Sequence, residues 1–209
     1  MEDVLEIYQR PEDATNPVVC VDETSKQHIK ETPKPLPMGE GAPGRYDCEY
    51  HRNGVRNLFM IFAPLAGFRQ VEVTDTRTSI DFAHICRDLV DIHFPDAHKI
   101  TLVCDNLNTH KPASLYKTFQ PDQARRIAEK LQFHYTPKHE SWLNMAEIEL
   151  SVLSRECLSR RIADQETLIK QESNAWQTRR NEHRTSMSWR FTTDDTRIKL
   201  KRLYPSIST

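Results

Sequence analysis

Two strongly apolar runs in this chain each lead directly into an aspartate. Val18-Val19-Cys20-Val21 is followed by Asp22, and Thr101-Leu102-Val103-Cys104 by Asp105. A carboxylate in that position is partly desolvated, so it needs a cation, a hydrogen bond or a proton. One such residue is ordinary at a turn or cap. Two in the same context suggest a shared site. A third acid comes from the segment WLNMAEIELSVLS, where Leu143, Ala146, Leu150, Leu153 and Cys157 recur at steps of three and four. That spacing makes an apolar helical stripe. At about 100° per residue, Glu147 and Glu149 fall on opposite flanks of it, and periodicity alone does not choose between them. Carboxylates gathered this way suit hard divalent cations, which take oxygen ligands. Other metal chemistries find less support. The nine histidines make no HxxxH pair, and Cys48 with His51 is half a zinc site without a second half. The five cysteines are scattered and odd in number, and read as reduced, mostly buried thiols.

The elements that must position these acids follow from local pattern. Val18 to Val21 reads as a buried strand ending at Asp22. The breaker-rich stretch from Pro33 to Gly44 reads as a loop, and Asn53-Gly54 as a turn. Leu58 to Ala63 and Arg69 to Thr74 read as two more strands, which with the first make an antiparallel meander. Thr78 to His93 has helical spacing with Thr78 or Ser79 as cap. Ile100 to Cys104 is a fourth strand. Pro112 to Phe119 and Pro121 to Leu131 read as short proline-started helices. Gln132 to Tyr135 is a fifth strand. Trp142 to Leu158, Gln165 to Arg180 and Asp194 to Leu203 read as helices, with Trp142 as a core anchor. The order implies a mixed α/β fold, in which functional groups gather at strand ends.

Of the 209 residues, 37% are hydrophobic and 28% charged, a globular balance with no apolar run long enough to span a bilayer. The acidic N-terminus, MEDVLEIYQR, is unlike a signal peptide, and the expected location is the cytoplasm. Net charge is −1, but it is unevenly spread. From Arg155 onward twelve basic residues face seven acidic ones, giving this part +5 and the rest about −6. A cationic flank beside an acidic body fits phosphate binding next to a carboxylate cluster, and a solvated helical face accounts for the charge equally simply.

The segments VCVDETSKQ (19–27), LVCDNLNTH (102–110) and HYTPKHESWLNMAEIELSVLS (134–154) resemble the catalytic motifs of bacterial insertion-sequence transposases of the mariner superfamily. The closing FTTDDTRIKLKRLYP (191–205) resembles the end of the same enzymes. The resemblance implies a DDE triad on an RNase H-like fold, shared more distantly with retroviral integrases. This is a five-stranded mixed sheet flanked by helices, with a core over residues 1–160 and a basic helical extension over 161–209. It assigns Asp22, Asp105 and Glu147 as the acids, with Glu149 left on the helix surface. It implies two Mg²⁺ ions, replaceable by Mn²⁺, and DNA cleavage followed by strand transfer, with element ends and target DNA as substrates and a homodimer on DNA. Two further readings share these residues: a nuclease that hydrolyses without joining strands, and a remnant that only binds DNA.

Around the triad, Glu23 is expected to point away from Asp22 into a supporting role. Asn106, Lys138, His139 and Asn144 are expected to support the site or touch DNA. His110 either orients a carboxylate, meets a phosphate, or is a satisfied loop histidine. Glu140 stands where close relatives are expected to carry glycine, and a positive φ there would strain it. The helix-turn-helix that reads element ends in such enzymes is expected to be absent.

Overall fold

The computed structural model describes residues 1–31, 39, 50–138 and 140–204. The expected loop from Pro33 to Gly44 lies outside these residues except for Gly39, as do Cys48 and His139.

Five strands form one sheet in the order β3-β2-β1-β4-β5. β1 (Val18–Glu31), β2 (Tyr50–Ala63) and β3 (Phe68–Thr74) pair antiparallel, as the meander reading required. β4 (Ile100–Cys104) and β5 (Leu131–Tyr135) continue the sheet in parallel with β1. Strand alternation divides the core between the two faces. Val18 and Cys20 join Leu58, Met60, Phe62 and Val103 on one face. Val19 and Val21 join Phe59, Ile61, Leu102 and Cys104 on the other.

The first face is covered by α1 (Glu2–Tyr8) and α5 (Met145–Leu153), and by Ile162, Leu168 and Trp176 from the chain's last third. Residues beyond 160 thus share this core. The second face is covered by α2 (Ser79–Asp88), α3 (Ala113–Thr118) and α4 (Pro121–Lys130). α2 starts where its sequence signals it, with the Thr78 side chain and Asp81 forming a reciprocal capping box.

Four local expectations need correction. β1 does not end at Asp22 but runs on to Glu31, and beyond Cys20 it is paired with β2 alone. Asn53-Gly54 is not a turn. It lies inside β2 opposite His28, where the register slips by one residue, and Gly54 takes φ +88°. This is a bulge, the other structure that a left-handed glycine permits. The helix expected from Trp142 starts only at Met145. Trp142 lies in a 3-10 turn (Ser141–Leu143), is 39% exposed, and stacks on Trp189 rather than anchoring the core. Finally, α1 was not foreseen in the polar-looking N-terminus, yet Val4, Leu5 and Ile7 are fully buried there.

The C-terminal third contains a three-residue helical turn, α6 (Gln165–Thr167), followed by a wider turn (Leu168–Ser173). With α7 (Asn174–Glu182) these make one unbroken helical run where a helix from Gln165 to Arg180 was expected, and α8 (Thr193–Lys199) with a 3-10 turn (Lys201–Leu203) stands where the last helix was expected.

Candidate active site

Asp22 and Asp105 are brought together by the ladder of β1 and β4. Cys20 and Val103 are register partners, both on the face that α5 covers. Asp22 and Asp105 each lie two residues further on, so they emerge on that same face just past the last paired rung.

α5 supplies the third acid. Its N-terminus is fixed by Asn144, which is fully buried. The Asn144 side chain accepts from the Ala146 N–H at 3.1 Å, capping the helix. Its Nδ2 donates to the Val21 carbonyl at 2.9 Å and reaches Asp22 Oδ2 at 3.3 Å. Glu147 stands in the first turn, one position past Ala146. Asp22, Asp105 and Glu147 consequently line one cleft of about 390 Å³, with Glu23, Lys26 and Ser141 on its wall. A second cavity of about 290 Å³ shares Asp105 and Ser141 with the first and is lined by Asn106, Leu107 and Lys138.

The two aspartates differ electrostatically. Burial, together with the like charges of Glu23, Asp105 and Glu147, pushes the Asp22 carboxyl up to about 7, against the Glu23 N–H that donates to it at 2.8 Å. Burial would raise Asp105 too, but the His110 hydrogen bond and charge outweigh it and hold that carboxyl below its ordinary value. His110 lies in the turn Asn108–His110 and is 1% exposed. Its Nδ1 hydrogen-bonds Asp105 Oδ1, and its Nε2 lies 3.2 Å from Glu23 Oε2, an ion-pair contact. Burial would lower the imidazole; the hydrogen bond to Asp105 and the close Glu23 carboxylate outweigh it and raise it to about 9. His110 therefore contacts two carboxylates. Glu23 meets His110, whose ring packs on Phe82 from the second face of the sheet.

Other expected residues fall in varied places. Asn106 accepts from Lys111 Nζ at the rim. Lys138 lines the second cavity. Glu140 takes φ −119°, so the strain that a left-handed backbone would impose does not arise.

Glu149 is the main surprise. It is not on the helix surface but fully buried, 2.8 Å from Arg69 Nε and 2.9 Å from Arg180 Nε. Arg69, itself fully buried on β3, also donates to the Thr185 carbonyl at 2.6 Å and lies over the Phe62 ring. A buried carboxylate between two guanidiniums ties α5 to β3 and α7. Nothing local in the sequence signals this, because Arg69 and Arg180 lie far from Glu149 along the chain. In the same way Lys26, absent from the sequence candidates, reaches into the cleft wall and donates to the carbonyls of Leu158 and Arg160.

Among the described residues, no group of three His, Cys, Asp or Glu side chains stands ready-made to hold a metal. The donor chemistry nevertheless fits hard divalent cations. Three oxygen donors share the cleft, Asp22 is destabilised as an anion, and Glu147 Oε2 is buried without a hydrogen-bond partner. Mg²⁺ also retains several waters, so it needs few protein ligands.

Several solved structures share this architecture. The Mos1 mariner paired end complex with Mn matches 88% of this chain and 54% of its own, at 15% identity and TM-score 0.60. A pre-cleavage Mos1 transpososome matches at 14% identity and TM-score 0.55, covering 88% of this chain and 59% of that one. The Mos1 paired end complex with Mg matches at 16% identity and TM-score 0.54, over 88% and 57%. The chain spans a little over half the length of these transposases. The likeness establishes the RNase H-like fold of the sheet and its flanking helices. Comparison with the curated proteins gives no match. The DDE superfamily endonuclease family matches residues 17–169, a span that runs from the start of β1 past α5 and α6 and carries all three acids of the cleft. This chain belongs to the DDE superfamily endonucleases.

Proposed function

We propose that this chain is a transposase catalytic domain that cuts DNA strands and joins them to a target, using Asp22, Asp105 and Glu147 as ligands for divalent ions. The observation that carries the reading is the convergence of these three carboxylates on one cleft, with Asp22 pushed up to about 7 by burial and by its acidic neighbours. An anionic cluster that is costly without a counter-charge suits a site loaded with cations when substrate arrives. Two divalent ions bound there would supply nucleophile activation and charge neutralisation at the scissile phosphate.

The chain's own residues do the positioning. β1 and β4 present the two aspartates from a rigid sheet, and Asn144 holds α5 so that Glu147 faces them. Lys138 and Asn106, in the adjoining cavity, are placed to meet the phosphate backbone beside the reacting bond. The Mos1 relatives are paired end complexes and a pre-cleavage transpososome, which supports DNA ends as substrate, and we take a homodimer on DNA as the working assembly. Among the described residues no helix is long and apolar enough to cross a membrane.

The test is incubation of the purified chain with supercoiled plasmid and pre-cleaved donor ends in Mg²⁺ or Mn²⁺. Nicked and joined products that disappear in Asp22→Ala, Asp105→Ala and Glu147→Ala, with DNA binding retained, support the proposal. Nicking without joined products reduces the chain to a nuclease, and DNA binding without cleavage reduces it to a binding module.

A further inference from the structure

We propose that Glu23 and His110 form a positioning bridge that sets the spacing of Asp22 and Asp105 and fixes which Asp105 oxygen is offered to a cation. The inference rests on reading Asp105 as a metal ligand.

The need for such a bridge lies in the sheet. The β1–β4 ladder ends at the pair Cys20–Val103, so no backbone hydrogen bond ties the two strands where Asp22 and Asp105 emerge. Asp105 is the first residue after β4, and its side chain is 31% exposed, so packing alone does not hold it. His110 crosses this gap. One ring nitrogen meets Asp105 Oδ1 and the other lies 3.2 Å from Glu23 Oε2, on the residue next to Asp22.

The ring is itself held. Phe82 packs against it with centroids 4.4 Å apart, and the Tyr135 hydroxyl donates to the His110 carbonyl at 3.0 Å. Glu23 is 5% exposed, and its Oε2 has the imidazole Nε2 as its neighbour at 3.2 Å. The Leu107 N–H also donates to Asp105 Oδ1, at 3.2 Å. Both contacts fall on Oδ1, so Oδ2 is the oxygen left for an ion. Outer partners of this kind orient ligands and raise metal affinity.

The experiment titrates Mn²⁺ into the purified chain, following the free-ion signal by electron paramagnetic resonance, with thermal unfolding of the metal-free proteins alongside. The variants are His110→Phe, His110→Asn and Glu23→Gln. Loss of the bridge in His110→Phe is expected to weaken Mn²⁺ binding about 10–100-fold. His110→Asn, whose amide nitrogen can stand where Nδ1 stood but which cannot reach Glu23, is expected to recover only part of that affinity. Glu23→Gln, which keeps the Asp105 contact and weakens the other, is expected to lose less than His110→Phe. His110→Phe binding as tightly as wild type, or His110→Asn doing no better than His110→Phe, overturns the proposal. If His110→Phe does not fold, Glu23→Gln decides, and unchanged affinity there overturns it. A wild-type chain that binds no Mn²⁺ overturns the metal-enzyme reading and this one with it. Wild-type binding with indifferent variants overturns this one alone.

Discussion

Asn144 joins the third acid to the first. Its amide caps the helix that bears Glu147, while its Nδ2 donates across to the Val21 carbonyl, beside Asp22, at 2.9 Å. One buried side chain thereby fixes the helix start and its distance from β1. Asn144→Ala is expected to lower stability by about 1–3 kcal/mol, from the lost cap and an orphaned carbonyl. Asn144→Asp keeps the cap but turns oxygen against the Val21 carbonyl and the Asp22 carboxylate, so it is expected to fare no better. Thermal denaturation of both variants checks this, and a wild-type melting point in Asn144→Ala would remove Asn144 from the account.

Glu149 tests the electrostatics of the core. Glu149→Ala leaves Arg69 buried without its carboxylate and is expected to cost about 3–5 kcal/mol. Replacing Arg69, Glu149 and Arg180 together by Met, Leu and Met is expected to recover much of that loss, because no unpaired charge remains. Urea denaturation of the single and triple variants measures the difference. A triple variant as unstable as the single one would show that packing, not charge, sets the cost.

Asp22 is the group that the metal-free fold holds least comfortably. Its ionised form is opposed by burial and by Glu23, Asp105 and Glu147. Asp22→Asn is expected to raise the melting temperature in chelator at pH 8 while abolishing Mg²⁺-dependent cleavage. Added Mg²⁺ is expected to stabilise wild type and leave the variant unmoved. An Asp22→Asn protein less stable than wild type in chelator would contradict the repulsion argued here.

Gly67 turns the chain between β2 and β3 at φ +64°, and an added Cβ would lie 2.6 Å from the Arg184 carbonyl carbon. Gly67→Ala combines a left-handed backbone with a clash against backbone atoms. It is expected to lose more than about 1 kcal/mol. Gly54→Ala, also at positive φ but with only a flexible Arg56 side chain nearby, is expected to lose less. Parallel melting curves of the two variants decide the order.

What the sequence revealed was what neighbours along the chain determine. The runs before Asp22 and Asp105, the box of Thr78 and Asp81, and the short reach from Asp105 to His110 are all local. What it hid depends on distant partners. Asn53-Gly54 reads as a turn until the facing strand makes it a bulge. Glu149 reads as a surface acid until Arg69 and Arg180 arrive from β3 and α7. The start of α5 is legible too, because Asn144 followed three residues later by Glu147 is itself a helix-start signal. Trp142 precedes that signal and so belongs to the approach, not to the helix.

The arginine that completes the buried ion cluster lies on α7, late in the chain. During vectorial synthesis α5 emerges with Glu149 lacking one of its two counter-charges until the polypeptide has grown as far as Arg180. Until then the helix that carries the third acid holds a buried carboxylate with only part of its compensation. Any shortened product ending between these two residues would keep every cleft carboxylate and Asn144, yet leave Glu149 with Arg69 alone as its buried counter-charge.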